Sequence, residues 1–127
     1  MSMSSWPSRD ELIWLFEAEP SVDGDDLGYP ASATTFTTTR SGTEVECTIE
    51  PYTNSVTIRL VEGGAERLRL HLWGLVDRVT VDRLHGQEAL VVAMVPGSGF
   101  HELRLQLRPG PSVSWASQAP WEHGPRL

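Results

Sequence analysis

The side chains that could do chemistry in this sequence are one cysteine and a few scattered histidines. The histidines are His71, His85, His101 and His123. None stands two or four positions from another, the spacings that place two metal ligands on one face of a strand or helix. Cys47 alternates with the apolar Val45 and Ile49 and has no activating group nearby in sequence, which is typical of a structural thiol. We therefore expect no bound metal and no cofactor.

Segment 17–26 is strongly acidic and has a composition that could suit calcium. Its carboxylates are Glu17, Glu19, Asp23, Asp25 and Asp26. A calcium loop of the EF-hand type needs a fixed ligand spacing and a closing Glu, and this segment has neither. A solvated acidic loop is the favoured interpretation, because runs of like charge repel one another and extend.

Catalytic patterns are weak. Gly97-Ser98-Gly99 is not a nucleophile elbow, which needs glycines two residues either side of the serine and a strand-to-helix turn. Asp77 points inward by strand parity, near Leu72 and Met94, where an unpaired carboxylate would be costly. We expect it at a strand end that opens to water. No acid, base and nucleophile converge, so the sequence predicts a protein that is not an enzyme.

Composition limits the possible partners. The 127 residues carry a formal net charge of −7, with a pI of about 5.0, which argues against nucleic acid and against an anionic membrane surface. A single cysteine excludes an internal disulfide, and the N-terminus lacks the apolar core of a signal peptide. We expect a cytoplasmic protein with one β domain over 1–117 and a flexible C-terminal tail over 118–127.

Alternating runs between Thr43 and Trp73 supply the framework. Apolar residues at every second position are typical of β-strands with one buried face. The runs are Val45, Cys47, Ile49; Val56, Ile58, Leu60; and Leu68, Leu70, Leu72. Turn-forming residues at 51–54 separate the first two runs.

Parity then predicts the register, because a slip of one residue turns every side chain to the other face. The predicted turns are 51–54, a three-residue Gly63-Gly64-Ala65 loop, Gly74-Leu75, His85-Gly86, 96–99 and 109–111. Pairs predicted from them are Phe36 with Cys47, Cys47 with Ile58, Glu46 with Arg59, Leu60 with Leu68, Leu70 with Val79, Val81 with Leu90, Val92 with Leu103, Leu105 with Trp115, and Leu107 with Val113.

A short N-terminal helix is predicted over about 9–18. Ser8 and Glu11 match a capping box, and Leu12, Leu15 and Phe16 follow at helical spacing. A strand is the competing interpretation, because Leu12, Trp14 and Phe16 also alternate. The whole pattern predicts an all-β fold with this one helix. It is an eight-stranded antiparallel up-and-down meander that closes as a barrel or as a two-layer sandwich.

On the outward face, this register predicts one wholly apolar row formed by Trp73, Val76, Val95 and Phe100. A contiguous apolar patch is seldom left bare on a soluble monomer. Either the helix covers it, or it is a partner or dimer interface with Trp73 and Phe100 as anchors.

Two functions remain open. The first is a non-enzymatic protein–protein interaction module, as a homodimer or as an inhibitor or immunity-type partner of another protein. The second is a carrier of a small apolar ligand inside an eight-stranded cup. An interior dominated by Leu, Val and Ile favours a solid core, and therefore the first function.

Overall fold

The computed structural model describes residues 6–22, 29, 32–84 and 86–117. These ranges contain the helix α1 (Arg9–Phe16) and a 3-10 turn (Pro51–Thr53). The strands, in chain order, are β1 (Ser21–Val22), β2 (Thr34–Arg40), β3 (Thr43–Glu50), β4 (Ser55–Glu62), β5 (Ala65–Leu72), β6 (Val76–Asp82), β7 (Ala89–Met94), β8 (Phe100–Gln106) and β9 (Ser112–Ser117). No helix in the described ranges has both the length and the apolar composition needed to cross a membrane. The predicted tail over 118–127 lies outside the described residues.

The strands form two antiparallel sheets, ordered β1-β2-β3-β4-β5 and β6-β7-β8-β9. The predicted all-β meander is confirmed, and the two sheets make it a sandwich. The short β1 adds a strand that the sequence analysis did not predict. One apolar cluster includes side chains from α1 and from both sheets, so each sheet buries the face that its alternation marked as inward.

The meander breaks between β5 and β6, and the predicted Gly74-Leu75 hairpin is therefore wrong. Leu70 does not pair with Val79, because β5 and β6 belong to different sheets. The backbone N–H of Gly74 donates to Ser55 Oγ at 2.9 Å, and that of Val76 donates to the carbonyl of Asn54 at 3.1 Å. Both acceptors lie at the start of β4: Asn54 ends the turn before it and Ser55 is its first residue. The connection is thereby held at this point while the chain crosses to the second sheet.

The register of the first sheet agrees with the prediction. Phe36 faces Cys47, Cys47 faces Ile58, and Glu46 faces Arg59. Leu60 also faces Leu68, but the turn between them differs from the predicted three-residue loop. Glu62 pairs with Ala65, so only two residues turn the chain, and a bulge beside Leu60 restores the register.

A second bulge changes the start of β6. Val81 pairs with Leu90 as predicted, yet Val76 pairs with Met94, in the inward-facing row. Asp77 is the extra residue between Val76 and Arg78, so every side chain before it changes face. Val76 is consequently buried, and Asp77 is exposed rather than inward-pointing.

The last hairpin is offset by two residues. Leu105 pairs with Val113 and Leu103 with Trp115, so the predicted Leu105–Trp115 and Leu107–Val113 pairs are wrong. The chain leaves the ladder at Leu107, whose N–H donates to the Glu88 carbonyl at 2.9 Å and lengthens the connection. A two-residue offset preserves parity. Trp115 is nevertheless 52% exposed because β9 is an edge strand.

Helix α1 begins as predicted and ends two residues early. Ser8 Oγ accepts from the Glu11 N–H at 3.1 Å, and the Glu11 carboxylate accepts from the Ser8 N–H at 3.0 Å. The helix ends at Phe16 because Glu17 adopts a left-handed conformation with φ 56°. Leu12, Leu15 and Phe16 are fully buried against the core, where Phe16 stacks on Phe36 at 5.2 Å.

Candidate functional site

Of the four residues predicted to form an apolar partner-binding row, Val76 does not lie on the surface. Trp73 is 60% exposed, and Val95 is half-buried. Val76 is 1% exposed, so its predicted outward orientation is wrong, and the bulge at Asp77 is the cause. Phe100 begins β8, but its side chain lies outside the described part of the structure. The helix does not cover Trp73, because Leu12, Leu15 and Phe16 point into the core instead.

Three connections meet at one end of the sandwich, which we call the loop end: 51–54, 73–75 and 95–99. Hydrogen bonds join 73–76 to 54–55, as described above. The Val95 N–H donates to the Leu75 carbonyl at 2.8 Å and so ties in the third connection. The loop end is thus a fixed surface contributed by both sheets.

The loop end presents two large aromatic side chains. Tyr52, in the 3-10 turn, is 56% exposed, and Trp73 is 60% exposed. The His71 ring meets the Trp73 ring edge-on at 5.7 Å, which restrains the indole without covering it. The Tyr52 hydroxyl donates to the Glu50 carboxylate at 3.5 Å. Such rings give large contact area at low entropic cost.

Tyr52 was not identified by sequence reasoning. The sequence predicts only a turn over 51–54, and an aromatic in a turn carries no periodicity that would mark it as buried or exposed. The available signal was its composition, because a large aromatic side chain within a polar turn has no sheet face to bury against. The Trp73 position was predicted to be on the surface, and it is exposed.

The outer face of the first sheet holds a charge network. Arg59 contacts Glu46 at 3.4 Å and Glu66 at 2.7 Å, and Arg69 contacts Glu66 at 2.9 Å. The predicted Glu46–Arg59 pair is therefore present, and Glu66 separates the two arginines that face each other. Hydrogen bonds from Arg69 and then Arg59 lower the pKa of Glu66 to about 2. Arg59, Arg69, Glu46 and Glu66 thus neutralise one another within the chain.

The opposite end uses an aromatic residue for structure. The guanidinium groups of Arg83 and Arg108 lie 4.2 and 4.5 Å from the Trp14 ring centroid. Arg108 also donates to the carbonyls of Trp14 at 2.8 Å and Leu15 at 3.1 Å. A cation at a helix C-terminus satisfies carbonyls that have no partner within the helix. Trp14 is 36% exposed and holds the helix in place.

The acidic run does not form a calcium site with its described residues. Glu17 pairs with Arg40 at 2.6 Å and Arg108 at 3.7 Å, and Glu19 pairs with Arg9 at 3.0 Å. Asp23, Asp25 and Asp26 lie outside the described residues. Within the described ranges, no three His, Cys, Asp or Glu side chains are grouped so that they could hold a metal ion.

The other predicted chemical groups are dispersed. Cys47 is fully buried, and burial raises the pKa of its thiol to about 12, which suppresses the reactive thiolate. His71 and His101 are exposed on different sheets, and His85 and His123 lie outside the described residues.

Two surface clefts have volumes of about 310 and 240 Å³. The first lies beside the N-terminus of α1, where Glu11 is already bound in the capping box. The second lies on β8 and β9, where Arg104 is held by Asp82 at 2.7 Å and by the Gln87 carbonyl at 2.8 Å. Glu11 and Arg104 are thus already bound within the fold. The loop end, with its exposed rings, is therefore the stronger candidate site.

Comparison with known proteins gives a fold and no family. No family model matches the chain, and no curated protein matches it. A chain of the contact-dependent growth inhibition toxin–immunity protein complex from Klebsiella pneumoniae 342 shares the fold with a TM-score of 0.73. The two are 15% identical, and the match covers 88% of this chain and 95% of that one. At this identity the likeness establishes the architecture.

Proposed function

We propose that this protein is a non-enzymatic interaction module of the immunity type, which binds a toxin domain and keeps it from acting. The observation that carries the proposal is the shared fold with a chain of a toxin–immunity complex. The match spans 88% of one chain and 95% of the other, so it concerns the whole architecture rather than a common hairpin.

The loop end supplies the binding residues in this proposal. Trp73 and Tyr52 are the anchors, since Trp and Tyr are enriched among the residues that dominate binding energy at protein interfaces. Val95, in the connection after β7, adds half-buried apolar surface beside them, and Phe100, which begins β8, stays a proposed contact from the sequence. Val76 lies beneath this surface and supports it from the core. Hydrogen bonds between the connections hold the surface in place before binding, which lowers the entropic cost of association.

No specific observation favours the alternative function, a carrier of a small apolar ligand. Inward side chains of both sheets pack into one cluster with α1, and most of them are fully buried. A ligand would have to displace these contacts. A homodimer would use the same exposed rings, so oligomeric state is measured alongside binding.

A growth-rescue screen tests the proposal. An inducible library of genomic fragments from the organism that encodes this chain is expressed with and without the chain. We expect at least one toxic fragment to be neutralised by co-expression and to co-purify with the chain. Failure to rescue any toxic fragment would refute the immunity proposal.

Variants of the chain then test the loop end against the rescued fragment. Trp73→Ala should weaken binding by at least 2 kcal/mol, about 30-fold, if Trp73 is an anchor. Leu84→Ala is the matched control, because Leu84 is 57% exposed in the β6–β7 connection at the opposite end. Equal effects of the two variants would exclude the loop end as the binding surface. Sedimentation equilibrium without the fragment shows whether the rings join two copies instead.

A further inference from the structure

Arginine side chains in the described ranges are almost all used within the fold. Those with an ion-pair partner are Arg9, Arg40, Arg59, Arg67, Arg69, Arg83, Arg104 and Arg108. Arg78, on the outer face of β6, has no ion-pair partner among the described residues. The carboxylates that these arginines leave uncompensated therefore account for much of the negative charge.

The uncompensated carboxylates are unevenly distributed. Those without an ion-pair partner among the described residues are Asp10, Glu44, Glu50, Asp77 and Glu102. Three of them adjoin the loop end: Glu50 ends β3, Asp77 is the exposed bulge at the start of β6, and Glu102 is exposed near the start of β8. Asp10 and Glu44 lie elsewhere, on the helix and at the start of β3.

We propose that the protein docked on the loop end presents a basic surface, with Glu50, Asp77 and Glu102 as the carboxylates that face it. This inference rests on the proposed function and adds the chemistry of the partner. Arg78 reduces the local excess without cancelling it, and the chain as a whole carries −7. Complementary charge around an apolar centre steers association and selects among partners. Tyr52 and Trp73 supply that centre.

The first test uses hexa-arginine as a probe and does not require the partner. Titrated into the isotope-labelled full chain at low ionic strength, it should shift the backbone amide signals of 50–55, 73–77 and 100–102 most. Asp77→Asn with Glu102→Gln should abolish those shifts. The control double variant, Asp10→Asn with Glu44→Gln, removes the same formal charge elsewhere and should leave them in place.

Either of two outcomes overturns the inference. Shifts centred on other segments, such as the acidic residues 23–26, would place the cation-attracting surface away from the loop end. Equal effects of the two double variants would show that net charge alone attracts the probe. Both outcomes leave the growth-rescue result untouched, so the two proposals fail separately.

The second test uses the rescued toxin fragment. Neutralising Asp77 and Glu102 should slow its association about tenfold at low salt, and the difference should shrink as salt is added. The control double variant should slow association less than about twofold. A rescued fragment whose association rate is unaffected by the loop-end charges would overturn the inference while the immunity proposal stands.

Discussion

Replacing Phe16 by Ala tests whether the helix belongs to the cooperative core. Phe16 is fully buried and its ring stacks on Phe36 at 5.2 Å, with an interplanar angle of 17°. Truncating a buried Phe costs about 3–5 kcal/mol, and the stacked geometry places this site in the upper part of that range. We expect the free energy of unfolding to fall by about 4 kcal/mol with an unchanged dependence on urea concentration.

Trp73→Ala is the reference for that measurement. With 60% of Trp73 exposed, roughly 80–100 Å² of side chain is buried, worth at most about 2 kcal/mol. Urea unfolding followed by circular dichroism gives both values. Phe16→Leu, expected to lose about 1.5 kcal/mol, keeps the comparison measurable if Phe16→Ala does not fold. A loss below about 1.5 kcal/mol for Phe16→Ala, no greater than that of Trp73→Ala, would show that α1 unfolds independently of the sheets.

Three further outcomes are expected. Arg108→Lys keeps the charge but loses the guanidinium Nη2, which donates to two helix carbonyls, so urea unfolding should show a loss of about 1–2 kcal/mol. Carboxyl-carbon NMR should give Glu66 a titration midpoint near 2, which should rise toward 4.5 in Arg69→Gln. The stabilising contribution of ionised Glu66 is present above pH 4.5 and is lost as pH falls toward 2. Cys47 should react with a disulfide reagent only as fast as the protein unfolds, and stability should fall above pH 9, where the unfolded thiol ionises but the native thiol, with its pKa near 12, does not.

The register within each sheet could largely be predicted because two constraints coincide. Along β3 and β4, alternation decides which face is buried, and the turn at 51–54 decides which residues face each other. The pairing of Glu46 with Arg59 follows from both constraints. At Gly63-Gly64 the predicted loop was one residue too long. The bulge beside Leu60 compensates for this residue, so Leu60 still faces Leu68.

The wrong predictions of strand pairing have one physical origin. Alternation of apolar residues indicates which face of a strand is buried, but it does not indicate which strand lies next to it. A strand that moves to another sheet keeps its inward face, so the break between β5 and β6 leaves no mark in the pattern of Leu70, Leu72 and Val79. A bulge changes face on one side only, which is why Val76 is misplaced while Val81, on the other side of the bulge, pairs with Leu90 as predicted. Val76 was therefore lost from the predicted site, and Tyr52, which lies in a turn, was never part of any alternation.

A comparison of Trp14 with Trp73 supports the proposal that a partner covers Trp73. Trp14 lies between the guanidinium groups of Arg83 and Arg108. In the described part of the chain, the ring contact of Trp73 is with the edge of His71 alone. The fold can thus stabilise an indole at its surface with cations. At the loop end, Trp73 stands at 60% exposure on backbone fixed by hydrogen bonds from both sheets. An indole with this much exposed surface contributes at most about 2 kcal/mol to the stability of the isolated chain, so we expect its larger contribution when a second protein covers it.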